Sequence, residues 1–464
     1  MDKNMTINPK EERFSDIWKQ ETHGFNQLLS PSVGNARTFV NEMERNGTAQ
    51  CQPRPITTNS AHGCEIRNMN YNKLIILTLA ASAVLMSCKE NGPSNTTLEE
   101  AAANEKVSYK LTAQESAQVD ASNALGLDVL RSLVVKEPEK STVVSPSGIR
   151  YNLSMLASGA GGSTLSELQK AIGAGKVDLD SVNALNRRMM IGQQKPTGGM
   201  VHGPSMLTTI NTFEDKGINI SEKYRSCIEN SYFATVSHSW GIKHTAILTN
   251  KTTFKALWMS YFHGLKKAPF QTVSGDSVEV TMMENSDDKM ILSGMSDSLC
   301  SVVRLPYDGQ FSMVVILPAK GSAISTLLGT LTVDRLKRIQ YRLHHYNEIL
   351  IHLPVFTTKV KNDLKESLAN LGYRRMFIGG EANFSQMNDG ARPLYVEKMT
   401  QDTEIAVDQY GTTATAETIS EIEELSAIVS KYPTKLEFYA DRPFFYAIYD
   451  AFGNICFCGV FTGK

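Results

Sequence analysis

Residues 107–464 run for 358 positions without a linker rich in Pro, Gly or Ser, an internal repeat or a low-complexity tract. At roughly 150 residues per domain such a length suggests two or three domains, but large mixed folds break that rule. With no place to divide it, the stretch reads as one large domain. Its first part is helical. Residues 113–134 (AQESAQVDASNALGLDVLRSLV) set Val119, Leu125, Leu127, Leu130 and Leu133 roughly along one face. Pro146 opens a second helix that runs to residue 157, because its missing N–H is harmless in a first turn. Residues 166–172 are a third candidate. The later part is rich in strands: 301–305, the apolar run 312–317, 348–353, 394–397, and a closing pair at 444–449 and 454–461. Helices followed by a strand-rich half predict an α+β fold.

Composition narrows the function classes. The 464 residues are 41% apolar and 20% charged, with 47 basic side chains against 48 acidic ones. A disordered chain needs lower hydrophobicity and higher net charge, and a nucleic-acid binder relying on surface charge needs a basic excess. Neither is present, so no nucleic-acid partner is expected. The seven cysteines (Cys51, Cys64, Cys88, Cys227, Cys300, Cys456, Cys458) are odd in number and scattered, which is not a disulfide framework. Cys456 and Cys458, two apart on a strand, are expected to share one face and fill core. No G-x-S-x-G elbow and no H-E-x-x-H occurs. The run from Gly173 to Lys176 imitates a phosphate loop, but Lys170 stands where its first glycine belongs and Val177 replaces its Ser/Thr, so it reads as a helix end and turn. Adjacent His344 and His345 cannot share one face as paired ligands do, and read as a solvated loop. No enzyme, metal or cofactor is implied.

The most apolar window, residues 74–86 (LIILTLAASAVLM), follows Met69 and Lys73 and ends at Ser87 and Cys88. It is shorter than the roughly 20 residues of a membrane span, and its flanks match a secretory signal. The tetrad Leu85-Met86-Ser87-Cys88 resembles a bacterial lipobox, which implies lipidation at Cys88. A signal should start a protein, so translation is expected to begin at Met69. Residues 1–68 are then an upstream leader without a domain, 69–87 the signal peptide, and the polar stretch 88–106 a flexible tether. Lys89 and Glu90 resemble the sorting signal of some lipoproteins in Bacteroides-like bacteria. The expected location is therefore the outer membrane, lipid-anchored and facing outward or extracellular.

Several blocks, in order, resemble the serpin family. They are VVSPSGIRYNLSMLASGAGGSTLSELQKAIG (143–173), ILTNKTTFKALW (247–258), VVRLPYDGQFSMVVILP (302–318), IHLPVF, LKESLANLGYRRMF followed by ANFSQM, and FYADRPFFYAIYDAFGNICFCGVF (438–461). The resemblance implies three β-sheets, eight or nine helices and an exposed reactive loop. It further implies a monomeric inhibitor that offers the loop as substrate. The target protease forms an acyl-enzyme on it and is dragged away as the cut loop inserts into the central sheet, so the intact state stores free energy. The partner implied is a serine protease, with cysteine proteases as a further target class. A near-neutral chain gives no sign of activation by a polyanion.

The family places the loop between residues 408 and 438, with its hinge at Gly411, Thr412, Thr413, Ala414, Thr415, Ala416, Glu417 and Thr418. A loop that becomes a central strand must bury alternate side chains. Thr412, Ala414, Ala416, Thr418, Ser420 and Ile422 are small or apolar. The other parity holds Thr413, Thr415, Glu417, Ile419, Glu421 and Glu423, so these three carboxylates would stay in solvent. Glu424 has the inward parity but lies near the expected cut. Gln409 and Glu417 depart from the family preference for Glu and for a small residue. The usual hinge length puts the reactive bond at Leu425-Ser426, which favours chymotrypsin-like or elastase-like enzymes. The span from Gly411 to Pro443 is several residues long for the family, which keeps Val429 and Lys431 open as alternatives, the latter implying a trypsin-like target.

Ser145, Ser147 and Asn250 match a hydrogen-bonded cluster beneath the family's sheet, with Gln401 where His is common, and Trp258 matches the aromatic at its top. The family's helix across the front of that sheet has only residues 237–246 available, fewer than the dozen that a parallel crossover needs, so it is expected to be absent or its segment lost. The competing function is a non-inhibitory serpin-fold surface lipoprotein with a binding or structural role.

Overall fold

The computed structural model describes residues 96–464 apart from 196, 199–203, 241–244, 288–290, 389–392, 413–432 and 434. The chain divides into two units, Met1–Ser94 and Asn95–Lys464. The described residues belong to the second, so residues 1–68, the signal and Cys88 lie outside them.

In chain order the first elements are α1 (Leu98–Asn104), α2 (Ala113–Lys136), β1 (Thr142–Val144), α3 (Pro146–Gly159), α4 (Gly162–Ala171), α5 (Leu179–Gln194), β2 (Thr197–Gly198) and β3 (Pro204–Lys216). There follow α6 (Glu222–Tyr232), β4 (Thr235–Ser239), β5 (Thr245–Leu257), β6 (Gly264–Gln271), β7 (Ser277–Asp287), β8 (Ser293–Ser296), β9 (Cys300–Pro306) and β10 (Ser312–Pro318). The last are α7 (Ile324–Thr330), α8 (Val333–Arg342), β11 (Ile349–Pro354), β12 (Phe356–Asp363), α9 (Lys365–Asn370), β13 (Tyr395–Val407), β14 (Gly411–Thr412), β15 (Leu436–Tyr439), β16 (Phe444–Tyr449) and β17 (Ile455–Phe461). They form the expected α+β fold with three sheets. A seven-stranded central sheet runs β12-β13-β14-β5-β3-β2 with β4 beside β3. A six-stranded inner sheet runs β1-β17-β16-β10-β9-β8, and a four-stranded small sheet β15-β11-β7-β6.

The inner sheet is covered on both faces, which is why its strands read as unbroken apolar runs. Along β10, Met313 and Val315 enter one core with Phe438 and Phe444, while Val314 and Ile316 enter another with Leu153 and Leu248. The central sheet has one wet face. On β3, Thr208, Ile210 and Thr212 alternate with buried residues, and on β5 Lys251, Thr253 and Lys255 do the same. Helix α3 lies between the sheets and is buried at every position but Ser158. Ser145 caps it by accepting the Gly148 N–H at 3.2 Å. The buried Arg150 guanidinium on α3 donates to neutral oxygens, the Asn186 amide, the Gln118 side chain and the Gln118 and Ile172 carbonyls. Burial pushes its pKa down to about 10.

The structure corrects three expectations. The polar stretch 88–106 is not a tether to its end. Thr97 and Glu100 form a capping box for α1, which buries Leu98, Ala101 and Ala102. Lys195 Nζ, just beyond α5, donates to the carbonyls of Ala102 (2.9 Å) and Glu105 (3.2 Å) at the end of α1. Cys456 and Cys458 are buried free thiols, but they do not share a face. The register of the β16–β17 pair shifts between Ile448/Phe457 and Tyr449/Ile455, so Cys456 is an extra residue and the two thiols enter different cores.

The third correction concerns the helix across the central sheet. None lies between β4 and β5 among the described residues, and the crossover length that seemed to be needed does not apply. Ser239 at the end of β4 and Thr245 at the start of β5 both pair with Lys216 of β3. β4 is parallel to β3 and β5 antiparallel to it, so the chain reverses instead of crossing over. The two ends stand two strand spacings apart, about 10 Å, which residues 240–244 span readily.

Asp450 holds the turn between β16 and β17. Its Oδ1 accepts the N–H groups of Phe452 (2.9 Å) and Asn454 (3.0 Å), and its Oδ2 accepts the Gln193 amide at 2.7 Å. Burial raises its pKa from 3.8 to about 6, partly offset by these bonds. A folded pKa above the unfolded value means that the group's contribution is complete below about pH 4 and is lost as pH rises through about 6. Relative to an Asp450→Asn variant, the protein is therefore expected to lose about 3 kcal/mol of stability between pH 4 and pH 8. Denaturant midpoints across that range check this, and parallel pH profiles for the two proteins would refute it.

Candidate functional site

At the top of the central sheet two residues are wedged between strands that otherwise pair with each other. Gly411 and Thr412 of β14 lie opposite Leu257 and Ala256 of β5, and Thr412 also lies opposite Val407 of β13. Below them β5 and β13 pair directly in parallel, from Tyr395–Thr245 up to Thr403–Thr252. The sheet thus holds a seam, open for two residues and closed beneath.

The turn into β14 is over-determined. Asp408 Oδ1 accepts the N–H groups of Tyr410 (2.8 Å) and Gly411 (3.1 Å). Trp258 is buried and fixes the turn twice, its indole N–H donating to the Asp408 carbonyl (3.0 Å) and its backbone N–H to that of Tyr410 (2.9 Å). The indole stacks on Tyr307 with ring centres 4.2 Å apart. The Tyr307 hydroxyl meets the Thr412 hydroxyl at 2.7 Å, both side chains fully buried. Burial holds the Tyr307 pKa well above that of free tyrosine, so the phenol stays protonated as a bonding partner. Gly411 is glycine for want of room: a Cβ there would press on the Ala256 carbonyl and lie 2.8 Å from Leu257 Cα. Thr413, Ala414, Thr415, Ala416, Glu417 and Thr418 of the hinge, and Leu425, Ser426, Val429 and Lys431, lie outside the described residues.

Lower down, beneath the closed seam, is the polar cluster. Gln401 of β13 grips Ser145 at two points, its amide accepting the Ser145 N–H (2.7 Å) and donating to the Ser145 carbonyl (2.8 Å). The hydroxyls of Ser145 and Ser147 are 3.1 Å apart. Asn250 belongs to a second chain of bonds. Its amide donates to Asn211 on β3 (2.9 Å) and its oxygen accepts from Thr252 (2.9 Å), while Asn211 donates to the Tyr232 carbonyl at the end of α6 (3.0 Å). The two chains touch at Gly148, where a Cβ would overlap the Asn250 amide and sit 2.9 Å from Gln401 Nε2.

The structure therefore brings Ser145, Ser147 and Gln401 together by hydrogen bonds and sets Asn250 beside them through packing. Gly148, Asn211, Tyr307 and Asp408 were not picked out from sequence. Gly148 lay inside the quoted VVSPSGI block without a role. Tyr307 lay inside the quoted LPYDG block without a role.

Residues 120–240 and 236–463 match the profile of the serpin (serine protease inhibitor) family, the two matched stretches meeting at the β4–β5 reversal. Glia-derived nexin of Homo sapiens is 26% identical over 374 residues, covering 72% of this chain and 90% of that protein. The leukocyte elastase inhibitor of Equus caballus is 25% identical over 385 residues, covering 74% and 98%. Among solved structures the fold is like that of the thermophilic serpin tengpin in its native state, with a TM-score of 0.66 at 20% identity over 78% of this chain and 98% of tengpin. It is also like native protease nexin-1 with heparin, with a TM-score of 0.62 at 21% identity over 75% and 100%. With a profile that spans most of its length and a fold to match, the chain belongs to the serpin family.

Proposed function

We propose that this serpin inhibits a serine protease by suicide trapping. The protease serine attacks the carbonyl of Leu425, an ester forms to Leu425, and the bond to Ser426 breaks with Ser426 leaving as a new amino terminus. The loop then inserts as a strand between β5 and β13. The observation that carries this reading is the seam, already occupied at its top by β14 in antiparallel register with β5.

Continued downward, that register is informative. It sets Ala414, Ala416, Thr418, Ser420 and Ile422 opposite Phe254, Thr252, Asn250, Leu248 and Ala246, all of them buried. It sets Glu417 opposite the exposed Lys251, and on the β13 side Glu421 opposite the exposed Lys398. Asp402 would flank Glu417 on its other side, so Lys251 offsets a like charge there. The register reaches Glu423 opposite Thr245, where β5 begins. Glu424, the carboxylate of inward parity, falls past the strand and need not be buried. A cut at Leu425 would leave the trapped enzyme two residues beyond the sheet, which supports Leu425 over Val429 and Lys431.

Incubation of the protein with elastase, chymotrypsin and trypsin is expected to yield a complex that survives denaturing gels with one of the first two. Mass spectrometry of the released peptide should show Ser426 at its start. Cleavage without a complex, and without a gain in thermal stability, would instead favour the non-inhibitory surface lipoprotein. Lys251→Glu would set two like charges side by side in the inserted state, a penalty of about 0.2–1 kcal/mol. It is expected to shift the outcome from complex toward cleaved protein by about 1.4- to fivefold, and Glu417→Lys in the same chain to reverse the shift. The ratio of the two gel bands measures both.

The lipobox-like tetrad ending in Cys88 supports export and lipid anchoring at the cell surface. Cys88→Ala should release the protein from the membrane fraction and abolish incorporation of labelled fatty acid.

A further inference from the structure

The closed part of the seam is fastened at its base by one carboxylate. Val396 of β13 pairs with Ala246, and Lys398 pairs with Ile247, so Glu397 is an extra residue in the strand. Such a bulge re-aims its side chain. The Glu397 carboxylate accepts the Thr245 hydroxyl of β5 at 2.9 Å and lies 3.5 Å from Lys216 Nζ of β3. Lys216 and Thr245 are themselves register partners. Two of the three members of this clasp therefore move with β3 and β5, and Glu397 alone belongs to β13. The next side-chain bond up the seam, Thr249 to Thr400 at 3.2 Å, is between two uncharged hydroxyls.

The clasp stands at the β4–β5 reversal, because Lys216 is also the register partner of Ser239. No helix lies across the sheet between β4 and β5 among the described residues, so interstrand bonds must do there what a covering element would do. Both charged members are partly exposed, Lys216 at 30% and Glu397 at 38% of the side chain. A half-exposed ion pair adds little to the stability of a whole domain. Opening one seam is a local event, however, and is governed by the bonds that cross it.

We propose that Glu397 is a positioning residue that holds β13 against β5 at the base of the central sheet, acting through Thr245 and Lys216, and so sets how fast the seam opens. The consequence for trapping rests on the insertion reading above. The clasp itself can be tested without it.

The test is hydrogen exchange by mass spectrometry on the full-length protein. Glu397→Ala removes the contacts to Thr245 and Lys216, whereas Glu397→Gln keeps an acceptor for the Thr245 hydroxyl and loses the charge. Exchange of the seam amides, in residues 245–252 and 396–403, is expected to quicken about tenfold in the Ala variant, with the Gln variant in between. Exchange in β10 and β16 of the inner sheet should not change. Lys216→Met should quicken the seam on its own and add little to Glu397→Ala. Unchanged seam exchange, or a rise of equal size in β10 and β16, overturns the proposal, the second because it marks general destabilisation. A synthetic peptide of residues 412–423 supplies the functional arm, with uptake expected in the order Ala, Gln, wild type. If no variant takes up peptide while the seam still quickens, the insertion reading fails and the clasp stands. Peptide uptake at one rate in all three overturns control of opening by Glu397.

Discussion

The two bonds from Gln401 to the backbone of Ser145 join three layers at a single point. Ser145 directly follows β1 and caps α3, so it links the inner sheet to the buried helix. Gln401 sits midway along β13, opposite Asn250 across the closed seam. A side-chain amide that takes one backbone N–H and one carbonyl acts as a short piece of strand, and it leaves neither buried group without a partner. Gly148 makes this possible, since any side chain there would occupy the space of the two amides. Asn211 and Asn250 perform the corresponding task for β3 and β5. Each half of the seam thus has its own polar attachment beneath, and the halves can part without tearing either one.

Above the seam the physics is different. The front of the central sheet is lined by Thr208, Thr212, Thr249, Thr253, Lys251, Lys255 and Glu404, residues that are content in water. Removing a covering helix from an apolar sheet face would expose a large patch and invite association. Here the exposed apolar contribution from β3 and β5 is mainly Ile210. The short β4–β5 reversal and the polar front face are consistent with each other.

How much of this was legible in the sequence follows from which faces water touches. The strands of the inner sheet, 312–317, 444–449 and 454–461, stood out because both faces are buried and the residues are apolar throughout. Of the 13-residue β13 only 395–397 stood out, and β5 was visible only inside a block resembling a family, because Thr and Lys alternate with its buried residues. Helix α1 was read as tether because three buried side chains, Leu98, Ala101 and Ala102, are too few to make a periodicity. The β13 bulge at Glu397 had no signal at all, since a one-residue insertion is defined only by the register of a neighbour. The loop parity, in contrast, was fully legible, because it depends on the loop's own residues. Whether those residues insert is a question that sequence alone could pose but not decide.

Parity matters more than hydrogen-bond number in deciding whether such a loop can insert. Each backbone residue that becomes ordered costs about 1–2 kcal/mol of conformational entropy, and each new backbone bond returns about 0.5–1.5 kcal/mol. The direct β5–β13 bonds are lost as the seam opens, so an inserted strand adds only about one strand's worth of bonds. Those two quantities nearly cancel. The balance then falls to side chains: small or apolar groups gain by entering beneath the sheet, whereas one unpaired carboxylate there would outweigh all of them. In this chain the three carboxylates from Thr412 to Glu423 share one sequence parity, and insertion in the register proposed above would set two of them beside Lys251 and Lys398, both exposed in the present state. The open front of the sheet and the charge pattern of the loop are therefore two halves of one requirement.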